Sequence, residues 1–262
     1  MKSFAAKPCM IIGAILVVGL LFGATVADAG FIQPEDPGGG PPAEFPGLAL
    51  KMNSHGHGPP DHVNPPGLKN AAGNYEYKGK GKQGAFDVDW TIEVDPDPFI
   101  NIWVELENTE ATTKDFTFIT TLDIAPQLTG GIVTGGSLSG TLIDMTGDGA
   151  ELSKISGVPM YMSRIDGSDY YPMDLPSVPV VAAAHGTAGV GPVDFGAPIP
   201  SIEEPTMDVL DTIEIEINAS VSGYDRAFIV ATFVVEPIPE PSTLALLSMG
   251  VFGLLLHARR RR

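Results

Sequence analysis

The feature that most constrains the fold is an unbroken alternation of apolar and polar residues near the middle of the chain. From residue 86 to residue 95 every second residue is apolar, and those between are acidic or carry a hydroxyl group. Successive side chains of a β-strand point to opposite sides, so this period of two indicates a strand with one buried and one wet face. The apolar residues are Phe86, Val88, Trp90, Ile92 and Val94.

The same alternation recurs along the chain and predicts further strands. It restarts after a turn at residues 95–98, with Ile100, Ile102, Val104 and Leu106 on one side and Asn101, Trp103, Glu105 and Glu107 on the other. Further strands are predicted over 116–124, 137–143, 213–221 and 227–236, with Pro126 closing the first of these. Short strands joined by polar turns are typical of an antiparallel β-sandwich, of jelly-roll or immunoglobulin-like type, and a β-barrel is the alternative.

Two stretches lack this pattern. Residues 30–73 are dense in proline and glycine, and we predict a flexible leader there, ahead of a β domain over 74–237. Residues 165–208 are also broken by prolines and are predicted to form a long functional or mobile loop. An edge strand is predicted at its apolar centre, over 178–184.

The start of the chain is typical of a secretory signal peptide. A basic beginning precedes an apolar run over 10–22 and a small-residue exit, Ala27 to Ala29, that fits the signal peptidase rule. We therefore predict that residues 1–29 are removed. A retained anchor is the alternative, although the run is short for a membrane span of about 20 residues. Cys9, the only cysteine, would leave with this segment.

The end of the chain has three parts in a fixed order. A Pro-Glu-Pro box is followed by an apolar run over 244–256 and then by four arginines. A basic cluster resists crossing a membrane, so this order keeps the extreme end inside and everything before it outside. The apolar run predicts one short transmembrane helix, which suits a temporary anchor. The box residues are Pro239, Glu240 and Pro241, and the basic residues are Arg259, Arg260, Arg261 and Arg262.

These three parts resemble the PEP-CTERM sorting signal of exopolysaccharide-producing Gram-negative and related bacteria. The resemblance covers 238–262 and implies that an exosortase recognises and cuts the chain at the box. It further implies that the body passes to the cell surface or extracellular matrix. The predicted partners are thus signal peptidase at the N-terminal signal, the membrane at the apolar run, exosortase at the box, and exopolysaccharide. The resemblance concerns processing and implies no activity of the body.

The body resembles, more loosely, the all-β domains often found ahead of such sorting signals. Proteins of this type generally lack an assigned activity. The residues that carry the resemblance are Trp90 with 95–99, 108–109 with 115–118, 142–144 with 147–149, and 224–227 leading into 236–237.

The charge of the chain excludes nucleic acid as a partner. The whole chain has a formal net charge of -17, and six of its basic residues lie in the two terminal segments. The body is therefore still more acidic, and it would repel phosphate backbones. Such a surface favours solubility and loose association with cations, including Ca²⁺.

One acidic turn offers candidate metal ligands. Asp144, Thr146 and Asp148 place oxygens at the first, third and fifth positions of a loop with Gly149 at the sixth, as a Ca²⁺ loop does. Ile155 stands where an EF-hand has its bidentate glutamate, so an EF-hand is excluded. A looser Ca²⁺ site is the hypothesis, and simple turn formation is the alternative that we prefer. No other cofactor is predicted.

The histidines offer a second candidate. His55, His57 and His62 lie near Asp61 and could together hold a transition metal. We prefer a solvated polar loop, because a glycine- and proline-rich segment has no preformed geometry. His185 stands alone and is predicted to be structural or exposed.

No catalytic constellation stands out. Asp87, Asp89 and Glu93 could mimic the carboxylate pair of a glycosidase, but carboxylates on one face of an alternating strand are usually its wet side. We therefore predict an exported protein with a non-enzymatic structural or binding role. A carbohydrate- or Ca²⁺-binding adhesion module is the alternative, followed by a secreted hydrolase.

Overall fold

The computed structural model describes residues 47–58, 61–71, 73–95, 98–196, 202–237 and 249. Within these ranges the chain forms fourteen β-strands, and every pair among them is antiparallel. The prediction of an antiparallel all-β fold is confirmed. Within the described ranges no helix is both long and apolar enough to cross a membrane. The predicted signal peptide and transmembrane run lie outside these ranges, apart from residue 249.

The strands are β1 (Leu48–Ser54), β2 (Asp61–Val63), β3 (Leu68–Lys69), β4 (Tyr75–Gln83), β5 (Phe86–Asp95), β6 (Phe99–Asn108), β7 (Lys114–Ile143), β8 (Ala150–Ser153), β9 (Tyr161–Ile165), β10 (Ser168–Met173), β11 (Val180–Ala182), β12 (Thr187–Phe195), β13 (Ile202–Val221) and β14 (Arg226–Pro237).

Two long strands, β7 and β13, connect two groups of strands. The first half of β7 pairs with β1 and with the second half of β13, which pairs in turn with β9, and β9 with β10. The second half of β7 pairs with β14 and β12. From β14 the order continues through β6, β5 and β4 to β3. Each half of β7 therefore belongs to a different group. The first group contains the first half of β7, β1, the second half of β13, β9 and β10. The second contains the second half of β7, β12, β14, β6, β5, β4 and β3.

Aromatic side chains pack between the two groups. Phe86 of β5 meets Phe116 of β7 edge-on with ring centroids 5.1 Å apart, and Trp90 lies 6.4 Å from Phe118. All four side chains are buried, as is the rest of the apolar stripe of β5. Burial of this apolar surface between the groups is the main stabilising contribution. The arrangement is consistent with the predicted β-sandwich.

The β structure begins before the predicted boundary at residue 74. β1 lies within the predicted flexible leader, yet it pairs with β7 along its whole length. Leu48, Leu50 and Met52 alternate along it and are at most 5% exposed. The prolines and glycines around this short alternation obscured it in the sequence. The leader prediction is therefore corrected for this strand, which belongs to the core.

Pro126 does not end a strand, contrary to the prediction. β7 continues as one element from Lys114 to Ile143 and includes both predicted strands. In the ladder with β13, Thr212 pairs with Asp123 but Leu210 pairs with Leu128, so the register shifts between them. Pro126 lies in this irregular stretch of β7. A proline is tolerated there because no ladder partner needs its missing N–H group.

The region predicted as a long loop over 165–208 also contains strands. β10, β11, β12 and the start of β13 lie within it. β11 falls inside the predicted edge strand and pairs with β8. In β12, Pro192 lies at a register shift between Val190 and Val193, where the ladder does not require its N–H group. Prolines at such irregularities made the segment resemble a loop.

Candidate functional site

The predicted Ca²⁺ loop is a turn closed around the carboxylate of Asp144. Its Oδ1 accepts hydrogen bonds from the backbone N–H groups of Thr146 at 3.1 Å and Gly147 at 2.9 Å. Its Oδ2 accepts from Gly149 at 3.1 Å and from His185 at 2.6 Å. The side chain is only 4% exposed. Both oxygens therefore serve the backbone of the turn.

These hydrogen bonds determine the ionisation of Asp144. Burial alone would raise the pKa of this carboxyl, but backbone N–H donors, those of Gly147 and His185 foremost, hold it well below its usual range. Thr146 Oγ1 lies within hydrogen-bond reach of carboxylate oxygens of both Asp144 and the exposed Asp148, and its single proton can serve one of them at a time. The lone pairs that a Ca²⁺ ion would need at Asp144 thus face N–H groups, which favours the turn-forming alternative.

The candidate histidines contact separate partners. His55 Nε2 lies 2.9 Å from Thr117 Oγ1, and His57 Nε2 lies 3.3 Å from a carboxylate oxygen of Glu110. His62 lies on β2, opposite Lys51 of β1. Across the described ranges, no group of three or more His, Cys, Asp or Glu side chains is placed to hold a metal ion.

His185 lies at the closed turn. Its side chain is exposed, and its backbone has a positive φ of 55°. Through its backbone N–H group it donates to Asp144, as described above. Residue 185 therefore supports the turn through its main chain.

Two buried polar side chains, Asn108 and Asp225, hold the same end of the molecule. Asn108 donates through Nδ2 to the backbone carbonyls of Val221 at 2.9 Å and Ser222 at 3.0 Å. Asp225 accepts from the backbone N–H of Met145 at 3.1 Å and from Ser222 Oγ at 2.5 Å. Both belong to the turn residues that carry the loose resemblance to other all-β domains, but the sequence indicates no functional role for them. This network ties the 144–149 turn to the start of β14.

A different surface carries an exposed aromatic ring. Trp103 of β6 is 40% exposed and lies between Thr91 of β5 and Val230 of β14. Val230 in turn faces Ser139 of β7. A shallow groove of about 290 Å³ lies here, lined by Thr91, Trp103 and Val230 and by Asp89, Glu105 and Phe228 of the adjoining row.

The next row of the same face is uncharged on β6, β14 and β7, and it ends at Glu93 of β5 and Asp194 of β12. Asn101 lies beside Thr232, which lies beside Ser137. We call the two rows the Trp103 strip. Its residues are Thr91, Asn101, Trp103, Ser137, Ser139, Val230 and Thr232.

The carboxylates beside the Trp103 strip already have partners. Asp89 lies 3.5 Å from Lys80, Glu105 lies 3.2 Å from Arg226, and Glu93 accepts hydrogen bonds from two asparagine amides. Burial raises the pKa of Glu105, while the positive charge of Arg226 opposes the rise. The suggested glycosidase carboxylates Asp89 and Glu93 are thus engaged in separate contacts.

The last strand leads directly into the C-terminal segment. β14 ends at Pro237, which pairs with Ile132 of β7. Residues 237–262 match the family model of the PEP-CTERM protein-sorting motif. The chain is a PEP-CTERM protein. Its motif indicates exosortase-dependent sorting, with export of the chain and a membrane-anchored sorting signal. No curated protein matches this PEP-CTERM protein significantly.

The predicted processing residues of this PEP-CTERM protein occupy both ends of the chain. Pro239, Glu240, Pro241 and the four arginines 259–262 fall within the matched motif. Like Ala27 and Ala29, they lie outside the residues that the structure describes.

Proposed function

We propose that this PEP-CTERM protein is an exported β-sandwich with a structural or binding role. Signal peptidase would cut after Ala29, and exosortase would then cut at the Pro-Glu-Pro box, residues 239–241. The body would pass to the cell surface or the extracellular matrix. The observation that carries this proposal is the motif match, which begins at Pro237, the last residue of the last strand.

The position of β14 supports release of an intact body. This strand lies between β6 and β7 and pairs with both. Its buried residues include Ala231, Phe233 and Val235, so its loss would open the core. A cut at the box, residues 239–241, falls after Pro237, the last described residue of this strand. The described pairs of β14 would therefore be kept when the sorting signal is removed.

The candidate catalytic and metal-binding residues support a role other than catalysis. Asp144 closes a turn, while His55 and His57 contact different partners. Asp89 and Glu93 are likewise engaged separately. A hydrolase would need such groups to converge on one reacting bond. The secreted-hydrolase alternative predicts turnover on glycan and ester substrates, which would overturn the non-enzymatic role.

The Ca²⁺-binding alternative has its own test. A ligand that binds only the folded protein raises its melting temperature. We expect millimolar Ca²⁺ and a chelator to give the same melting temperature, because Asp144 is occupied by backbone donors. A rise with Ca²⁺ that is absent in Asp148→Asn would support the alternative.

Substitution of the box tests the sorting proposal. In the native host, a variant with Pro239, Glu240 and Pro241 all changed to alanine should accumulate as membrane-bound precursor. The matched control changes Ser242 and Thr243, immediately after the box, to alanine and should be processed as the wild type is. Equal processing of both variants would contradict exosortase recognition at the box.

A further inference from the structure

We propose that the Trp103 strip binds a neutral polysaccharide chain. The inference rests on the proposed export, which would place this face outside the cell. It goes further by assigning a ligand class and a surface. The strip is a band of uncharged residues on the outer side of β5, β6, β14 and β7, bordered by the carboxylates of Asp89, Glu93, Glu105 and Asp194.

Trp103 supplies an exposed indole ring. Trp103 is 40% exposed on a sheet face whose neighbouring positions, Thr91 and Val230, are half-buried. A sugar ring presents an apolar C–H face, which can stack on an indole, and hydroxyl groups around its edge. Trp103 thus offers the kind of flat apolar surface that a sugar ring can cover.

Hydrogen-bonding groups lie beside the ring. Thr91, Ser137 and Ser139 carry hydroxyl groups along the strip. Thr232 Oγ1 donates to Asn101 Oδ1 at 2.9 Å, which fixes the orientation of that amide. The Nδ2 group of Asn101 has no partner among the described residues and remains a donor for a ligand. A few such groups around an apolar surface orient a bound ligand.

The charges around the strip disfavour an anionic ligand. The strip residues are uncharged, but Asp89 and Glu105 line the groove, where they pair with Lys80 and Arg226. Glu93 and Asp194 lie at the two ends of the Asn101 row. The whole chain has a net charge of -17, which repels anionic polymers at long range. A lipid surface would require a larger apolar area than one indole among hydroxyl groups. An uncharged, hydroxyl-rich polymer fits these conditions.

The length of the Trp103 strip suits an extended ligand. The strip crosses four neighbouring strands, a distance of about 14 Å at the usual strand spacing. The groove crosses three of these strands, β5, β6 and β14, and is shallow and open rather than closed around a small molecule. An extended surface of this kind suits several linked sugar units better than a single sugar.

The test uses the mature protein purified from its native cell and soluble neutral polysaccharides: a β-1,3-glucan, a β-1,4-glucan derivative, a mannan and an α-glucan. The chain has two tryptophans, and Trp90 is 2% exposed, so a change in fluorescence reports on Trp103. We expect a saturable change with at least one of these polymers and none with anionic alginate. Truncation of a central aromatic anchor should weaken that binding at least about ten-fold in Trp103→Ala.

Two further variants make the test specific. Thr91→Val keeps the side-chain shape and removes one hydroxyl, and it should weaken binding several-fold. Val181→Ala changes a residue that is 62% exposed on β11, away from the strip, and should bind as the wild type does. Melting curves show whether each variant is folded. Titration calorimetry measures its affinity for the polymer.

The proposal is overturned if none of the neutral polymers binds, if alginate binds instead, or if Trp103→Ala binds as tightly as the wild type. Intact mass of the purified protein, measured first, reports on its processing independently. Failure of binding in a correctly processed protein would therefore overturn this inference and leave the proposed sorting in place.

Discussion

The backbone N–H group of His185 donates to the carboxylate of Asp144 at 2.6 Å, across 41 residues of sequence. This bond joins the turn after β7 to the turn before β12. The backbone N–H groups of Thr146, Gly147 and Gly149 donate to the same carboxylate. The carboxylate thus fixes two turns at once, and its negative charge is matched by N–H dipoles.

Asp144→Asn should destabilise the protein. An asparagine has the same shape but presents an NH₂ group where the aspartate has its second acceptor, so one pair of N–H donors loses its partner. We expect the melting temperature to fall by several degrees. Asp148→Asn, at an exposed position of the same turn, should change it by no more than about one degree. Equal melting temperatures for both variants would contradict a structural role for Asp144.

The same carboxylate should make stability depend on acid pH. The pKa of Asp144 is lower in the folded protein than the value of about 3.9 expected for an unfolded aspartate. Its contribution is therefore complete above about pH 4 and is lost as the pH falls below that value towards the folded-state pKa. We expect the gap in unfolding free energy between wild type and Asp144→Asn to narrow as urea titrations move from pH 6 to pH 2.5. A constant gap would argue against a depressed pKa.

Gly147→Ala should be more damaging than Gly157→Ala. Both glycines have positive φ, 89° and 82°, which costs an alanine about 1–2 kcal/mol. A Cβ at residue 157 would meet open space, whereas one at residue 147 would overlap the His185 ring. We expect Gly147→Ala to lose roughly 1 kcal/mol or more beyond the Gly157→Ala loss in chemical denaturation. Matching losses would show that the ring moves aside freely.

Local patterns predicted the strands but not the contacts between distant turns. The alternation identified the buried stripe containing Phe86 and Trp90, and it placed Trp103 on the outward face. The bonds of Asn108 to Val221 and Ser222 span 113 and 114 residues. No local period encodes a contact at that separation. The Asp144 turn was recognisable as polar, but its donor from His185 was not.

Prolines concealed strands in the sequence where the ladder has irregularities. Pro126 and Pro192 both occupy positions at register shifts, so they remove no required hydrogen bond. β1 was overlooked for a related reason, since prolines and glycines surround it on both sides. Composition therefore shortened the predicted β domain, although the residues of β1 alternate as those of β5 do.

The contact between the two strand groups can be tested at Phe116. This ring is fully buried against Phe86, so Phe116→Ala should cost about 3–5 kcal/mol of unfolding free energy. Ile119→Ala, on the half-buried outer face of the same strand, should cost only about 1 kcal/mol. Urea denaturation measures both. A small loss at Phe116 would contradict the packing of β5 against the first half of β7.

The central claim is that both terminal segments are processing signals around a complete folded body. Intact mass spectrometry of the protein from its native cell tests this claim most directly. We predict a mature species that starts at Gly30 and ends at or near the Pro-Glu-Pro box, residues 239–241, with β14 retained in full. A full-length chain of 27.5 kDa, carrying both its apolar ends, would contradict the account.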